Sequence, residues 1–382
     1  MKRYIWTIGL IAFSVPVLIA YYVHGALDRL PQFALVTETG DEQAAASVLL
    51  NGDYTGRWQT ATVEITTEGS DYWADRSLWQ YIDEARFSRD SFMHRLQQEY
   101  RGFMRGKGIL QGFYEDEEWL AYAEAESKRR KRDETGVTIR IEVLDKGTEQ
   151  VREISEAFVI PGPFGYLSIQ DVQRVGDELH LLTLHSDVCR IYVFDVKDGT
   201  LVRESVLDFA AAGLSEGISV WTLPEADFPS PSDVVAFELR VKDAENEAES
   251  ARAYWAAYSY STGELFLLPE RWQGMLDRAF DLEDHWFSYL SNNSHMLEAA
   301  HLNLISKEER TLTVTAEQYG ADTILQAELD DGKLVLLLQQ GDQFHVVVLD
   351  AMDGTLLYRG RVSGEDGEPA RHLQVYDLLT TS

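Results

Sequence analysis

The apolar residues of this chain fall mostly into short runs, about four to eight long and closed by polar turns, which is the spacing of strands. Leu179–Leu184 and Leu334–Leu338 are apolar enough for burial on both faces of a sheet, and Ile191–Phe194 and Val346–Leu349 are rich in β-branched residues. These runs belong to an internal repeat. Residues 177–204 (DELHLLTLHSDVCRIYVFDVKDGTLVRE) and 332–359 (GKLVLLLQQGDQFHVVVLDAMDGTLLYR) align without a gap at an offset of 155, with 10 of 28 positions identical. Each copy predicts three strands, the second and third joined by an Asp-x-x-Asp-Gly-Thr turn at Asp195–Thr200 and Asp350–Thr355. Gly199 and Gly354 supply the positive φ that closes such a turn, and the aspartates accept its backbone N–H groups.

Looser copies run through 118–157, 234–268 and 301–315. The first has strands at Trp119–Ala123 and Thr138–Leu144 around a tip at Lys128–Arg132. The second has Val234–Val241 and Tyr254–Tyr260 around a polar tip at Lys242–Arg252. The third shows two strands around Lys307–Arg310 and no glycine turn. Trp58–Thr66 and Phe33–Thr37 supply a first blade, and His372–Leu379 completes a blade with the N-terminal strand, which removes a sheet edge. Units spaced by about 45–65 residues predict a mainly β, β-propeller-like fold of about six blades, seven being the alternative count. A β-sandwich pair or another antiparallel array is the competing architecture. The turns DVKDGTL (195–201) and DAMDGTL (350–356) resemble the repeat of quinoprotein-like, pyrroloquinoline-quinone-type β-propellers over about three repeats. In that repeat a Trp follows on the next strand; Tyr358 stands in its place in one copy, Arg203 and Leu267 in two others. The resemblance implies a propeller blade and brings no quinone with it, so no cofactor is expected.

Three stretches depart from the strand pattern. Tyr4–Val23 is a run of 20 residues without a charge behind Lys2 and Arg3, the length of a bilayer-spanning helix, with Trp6, Tyr21 and Tyr22 near its ends. The basic flank predicts a single-pass cell-membrane protein: a cytoplasmic tip and transmembrane anchor over 1–25, a stalk over 26–50 and an extracytoplasmic domain over 51–382. Cleavage before Ala26 is the alternative and would make the protein secreted. Asp75–Lys107 carries Leu78, Ile82, Phe92, Leu96, Tyr100 and Phe103 at helical spacing and predicts a helical insertion; Arg271–Ala300, with Trp272, Met275, Leu276 and Phe280, is read the same way.

The formal net charge of −30 excludes a nucleic-acid binder, because such a surface repels polyanions. Cys189 is the sole cysteine, so no intramolecular disulfide forms, and its place in a strand-like run marks a buried thiol. Candidate chemistry is sparse. Gly213–Gly217 matches Gly-x-Ser-x-Gly around Ser215, but strand-like Ile218–Leu223 follows where a nucleophile elbow needs a helix. His285, His295 and His301 share a segment without zinc-site spacing. Two carboxylates per Asp-rich turn are too few for calcium, which takes about 6–8 oxygens. Against the acidic background stands the run Lys128, Arg129, Arg130, Lys131, Arg132, expected at a hairpin tip. It is the candidate contact for an acidic partner, a wall polymer or a lipid head group; its plain alternative is a charged tip that resists aggregation. An anchor and a repeat scaffold without a catalytic set predict a non-catalytic binding, sensing or assembly module of the cell envelope, with an envelope or membrane protein as partner. The alternative is an envelope hydrolase or lyase acting on polysaccharide or peptide, with a carboxylate pair assembled from distant blades in an axial cleft.

Overall fold

The computed structural model describes residues 13–17, 30–56, 60–76, 91–131, 133–162, 164–186, 188–209, 218–223, 231–241, 252–273, 279–283, 285–364 and 372–380. The chain is mainly β, and its described residues form six antiparallel sheets. Two units make up its contacts, one of Met1–Asp83, Leu290–Ala299 and Thr311–Ser382, the other of Glu84–Tyr289 and Ala300–Arg310.

In the first unit, β1 (Phe33–Gly40), β2 (Val48–Thr55), β3 (Thr60–Ile65) and β4 (Ser70–Tyr72) come from the N-terminal part. The later strands β21 (Thr323–Asp330), β22 (Lys333–Gln340), β23 (Gln343–Asp350), β24 (Leu356–Gly364) and β25 (Leu373–Thr380) form the rest. One sheet has the order β1-β24-β23-β22-β21 and the other β25-β2-β3-β4. The strand at His372–Leu379 therefore does pair with an N-terminal strand, Val48 opposite Thr380 through Tyr54 opposite Leu373.

The second unit holds three consecutive four-stranded sheets. The first is β5 (Phe113–Glu115), β6 (Trp119–Lys131), β7 (Glu134–Asp145) and β8 (Gln150–Pro161). The second is β9 (Ser168–Val175), β10 (Glu178–His185), β11 (Val188–Asp195) and β12 (Thr200–Val206). The third is β13 (Ile218–Leu223), β14 (Val234–Val241), β15 (Arg252–Ser259) and β16 (Leu265–Leu267). A sixth sheet is made of β17 (Ala279–Glu283), β18 (Trp286–Asn293), β19 (Met296–Asn303) and β20 (Glu309–Thr315).

Side chains alternate across a strand, and the inner strands bury both alternations. On β22, Val335 and Leu337 pack with Leu50, Val63 and Val375, while Leu334, Leu336 and Leu338 pack with Leu297, Ala299 and Val314. On β10 and β11, Leu179, Leu181, Tyr192 and Phe194 face one core, and Leu182, Cys189, Ile191 and Val193 face another. The 155-residue repeat thus marks the strands with apolar neighbours on both sides: Glu178–His185 and Lys333–Gln340 are equivalent, as are Val188–Asp195 and Gln343–Asp350.

A five-residue turn recurs between the third and fourth strands of five sheets. Its last N–H bonds the first residue's carbonyl at 2.8 Å in Asp145–Glu149 and at 2.9 Å in Asp195–Gly199, Ser259–Gly263, Asn303–Lys307 and Asp350–Gly354. The first side chain accepts the N–H three residues on, from Thr148, Asp198, Thr262, Ser306 and Asp353 in turn. The fifth residue has positive φ every time: +57°, +66°, +70°, +61° and +74°. The copy at 301–315, expected to lack this turn, has it, with Asn303 for the aspartate and Lys307 for the glycine.

Several expectations need correction. Arg271–Ala300 is not helical among its described residues. It runs through a short 3-10 turn, Glu270–Trp272, into β17, β18 and β19, where Phe280 stacks on Phe287 with centroids 5.3 Å apart. Its short apolar clusters fit either period, and β-sheet neighbours decided. The stretch expected as a stalk instead forms β1 and the start of β2; β1 adds a fifth strand to the sheet at β24, with Leu35 and Val48 in the core. Within Asp75–Lys107 one helix is described, α1 (Ser91–Glu99), which buries Phe92, Met93 and Leu96 against Phe113 and Tyr122. Of the expected anchor, only Phe13–Val17 is described, as helix; the remainder, with the 1–12 and 18–29 segments, lies outside the described residues. Among the described residues no helix is long and apolar enough to cross a membrane.

Candidate functional site

The sheet β5-β6-β7-β8 has the longest strands, of 13, 12 and 12 residues for β6, β7 and β8. The ladder between β6 and β7 continues to Lys131 opposite Glu134 with a bulge at Arg130, and β7 pairs β8 out to Glu134 opposite Pro161. The basic run therefore stands on a three-stranded extension rather than on a free loop. Lys128, Arg129, Arg130 and Lys131 are all exposed; Arg132 lies outside the described residues.

One face of this extension holds the segment that follows β8. Gly162 N–H donates to Asp133 O at 2.9 Å, Gly165 N–H to Thr135 Oγ1 at 3.4 Å and Leu167 N–H to Ser127 Oγ at 2.9 Å. Gly165 packs closely on the side chains beneath: a Cβ there would lie 2.7 Å from Ser186 Oγ and 3.1 Å from His185 Nε2, so one of them would have to shift. His185 is buried beneath, and burial, aided by the Arg190 charge, holds its imidazole below the ordinary range, so it is neutral at pH 7. Leu167 enters the core shared with Val137 and Ile139. The pinned segment displays two rings. Phe164 lies under the Arg129 guanidinium, 5.2 Å from its centroid, and meets Tyr166 edge-on at 5.3 Å. Tyr166 is 75% exposed, an unusual position for a large ring on a fixed backbone.

The charges of the tip are not equivalent. Lys128 is bound to Glu126 at 2.8 Å and Lys131 to Glu134 at 3.2 Å. Neither Arg129 nor Arg130 meets a carboxylate among the described residues. Arg130 lies along Gly136, its Cγ 3.2 Å from where a Cβ would stand. Arg129 thus shares the face of Phe164 and Tyr166, while Arg130 lies along Gly136 on the opposite face of the extension, each guanidinium able to bind anionic groups in fork geometry. The charge run marked this place in the sequence; Phe164 and Tyr166 carried no comparable signal, because only the fold-back of 162–167 brings them to the tip.

A second polar cluster lies in the first unit, between β21 and β25. Gln326 Nε2 donates to Glu328 Oε1 at 3.3 Å and to Asp377 Oδ1 at 3.4 Å, so both carboxylates sit on one amide nitrogen. Gln326 Oε1 accepts Leu378 N–H at 2.9 Å, Thr380 Oγ1 reaches Glu328 at 3.5 Å and Asn51 Nδ2 reaches Asp377 at 3.5 Å. Burial first, then the Asp377 charge, pushes the Glu328 carboxyl up to about 7.

The other candidates are not brought together. The aspartates of the repeat turns spend their oxygens on backbone N–H groups, as at Asp350 with Met352 and Asp353. His301 Nδ1 lies 2.8 Å from Ser288 Oγ and His295 Nδ1 lies 3.0 Å from Asp322 O, separate settings. Among the described residues no three His, Cys, Asp or Glu are grouped to hold a metal ion. Ser215 with its motif, and the tip at 242–251, lie outside the described residues.

No family model matches the chain, and no curated protein matches it. Solved structures with some likeness include an uncharacterized protein of Listeria monocytogenes (10% identity, TM-score 0.33, covering 66% of this chain and 67% of that one). A Synechocystis apocarotenoid oxygenase variant shares 10% identity at TM-score 0.33, covering 69% of this chain and 61% of the oxygenase, so the chain spans less than two thirds of that enzyme. TolB from Acinetobacter baumannii shares 12% identity at TM-score 0.29, covering 94% and 71%. Likeness at this level assigns this chain neither an activity nor a family.

Proposed function

We propose that the chain is a membrane-anchored, extracytoplasmic binding module on a six-bladed, β-propeller-like scaffold, and that it contacts an acidic envelope partner through the Lys128–Lys131 tip. Six sheets of four or five strands following one another, the shared turn between third and fourth strands, and the pairing of β25 with β2 support the scaffold. The uncharged run Tyr4–Val23 behind Lys2 and Arg3 supports the anchor. The turns support a likeness to quinoprotein-type blades, and no quinone is assigned.

The observation that carries the reading is that Arg129 and Arg130 meet no carboxylate among the described residues of a protein of net charge −30. An acidic surface elsewhere turns polyanions away, and a cationic tip then selects both the partner and its direction of approach. The test is crosslinking of the full-length chain in its native membrane, beside a variant with Lys128, Arg129, Arg130 and Lys131 all changed to Glu. An identified acidic partner, captured by the wild type and lost from the variant, is the expected result. A partner kept by the variant would move the contact elsewhere, and no partner where a control complex is captured would count against a binding module.

The carboxylates Glu328 and Asp377 favour a second reading, an envelope hydrolase or lyase, because one carboxyl held near neutrality beside another is the pairing that acid–base chemistry uses. Turnover of a polysaccharide or peptide by the full chain, abolished by Glu328→Gln, would establish it; no turnover would retire it.

A further inference from the structure

We infer that the seam between β21 and β25 is a pH-sensitive latch: ionisation of Glu328 beside Asp377 frees the C-terminal strand from β21, while its ladder with β2 stays closed. The latch needs neither a ligand at the basic tip nor turnover at the two carboxylates.

The internal repeat shows what sets this seam apart. β9 and β21 correspond at the offset of 155, and both carry a register shift at the same place, skipping Gln170 and Leu325. Beyond it each strand sets an amide and a carboxylate two residues apart, hence on one face: Asp171 and Gln173 in β9, Gln326 and Glu328 in β21. In both copies the glutamine bonds a backbone N–H far along the chain, Gln173 Oε1 accepting from Ser232 at 2.8 Å and Gln326 Oε1 from Leu378 at 2.9 Å. In both, the amide nitrogen donates to the carboxylate of its own strand, at 3.1 Å for Asp171 and 3.3 Å for Glu328. The group facing that carboxylate differs. Tyr260, just after β15, donates its hydroxyl to Asp171 Oδ2 at 2.6 Å, and Val172 N–H donates to Oδ1 at 2.8 Å. Burial raises Asp171 too, against these donors, but no second carboxylate acts on it. Glu328 instead meets Asp377, an acceptor where the first copy has a donor.

Few donors serve the two acids. Gln326 Nε2 is divided between Glu328, Asp377 at 3.4 Å and Leu378 O at 3.0 Å, while Thr380 Oγ1 and Asn51 Nδ2 come only to 3.5 Å. Asp330, on β21 itself, adds a further negative charge, and no cation is among the groups that act on Glu328. Carboxylates so placed share a proton and resist losing it. Once it leaves, like charges face each other across the seam, and the bonds of Gln326 and Thr380 to β25 and Glu328 give way. The ladder from Val48 opposite Thr380 to Tyr54 opposite Leu373 lies on the other side of β25 and carries no part of this charge. The sign follows from Glu328, raised from 4.5 to about 7: the latch is fully closed below about pH 4.5 and weakens as pH rises through about 7.

The experiment is amide hydrogen exchange of the full-length chain in detergent between pH 5 and pH 8, read by mass spectrometry and corrected for the intrinsic rate at each pH. Leu378 reports the seam, because its N–H is bonded to Gln326 Oε1, and the amides of β22 and β23 report global opening. Protection at Leu378 should fall about tenfold or more across this range, with β22 and β23 changing far less. Glu328→Gln should hold Leu378 protected throughout, and Asp377→Asn should make the fall smaller. Equal exchange of wild type and Glu328→Gln at pH 5, where both side chains are neutral, confirms that the variant folds. Loss of protection at Leu378 matched by equal loss over β22 and β23 would overturn the latch in favour of general loosening. A Leu378 profile that stays flat with pH, or that Glu328→Gln leaves unchanged, would overturn it as well.

Discussion

Glu149 and Lys307 hold φ of +57° and +61° at the turn position where Gly199, Gly263 and Gly354 stand in the sister sheets. A side chain there strains the backbone by about 1–2 kcal/mol, part of which a glycine gives back through its freer unfolded chain. Lys307 offsets the strain: its Nζ lies 3.0 Å from the Phe266 ring centroid and donates to Leu304 O at 2.6 Å. Glu149 is exposed and makes no such contact. Glu149→Gly should therefore raise stability by about 0.5–1 kcal/mol in a chemical denaturation series, while Lys307→Gly should not. A Glu149→Gly protein no more stable than wild type would show that the turn is not strained. The same residues explain what the sequence hid. The turn is legible where aspartate begins it and glycine ends it. It vanishes from view where Asn303 replaces the acid and Lys307 the glycine, although backbone and cap are unchanged.

Elements were legible where burial on two faces forces a continuous apolar run, as in β10, β11, β22 and β23. They were misread where a few large apolar residues fit either period, as in Arg271–Ala300, and where composition stood in for pattern, as in β1. The seam between β21 and β25 was invisible, because Glu328 and Asp377 meet only through the fold. Its behaviour with pH follows from the groups that face Glu328: Asp377 on β25, Asp330 on its own strand, and the neutral Gln326 and Thr380. A carboxyl raised from 4.5 to about 7 binds its proton more tightly in the folded protein than in the unfolded one. Its contribution to stability is complete below about pH 4.5 and is lost as pH rises through about 7. Thermal melts across that window should show the wild type losing stability relative to Glu328→Gln, whose seam keeps a neutral amide throughout. Parallel pH profiles for the two proteins would sink this account of the seam.

Over the whole molecule, charge and connectivity pull in different directions. The net charge of −30 makes the exposed Lys128–Lys131 tip a place of opposite sign on an acidic protein. Connectivity ties early and late parts of the chain together: Asn51 on β2 reaches Asp377 on β25 across 326 residues. During synthesis, at about 5–20 residues per second, β2 to β4 wait on the order of tens of seconds for the strand that borders them. Through that interval their apolar residues Leu50, Val63 and Ile65 lack the cover that Val375 and Leu378 later give. The nascent chain is then a natural client for a chaperone, and its commitment to the finished structure comes only with the arrival of β25.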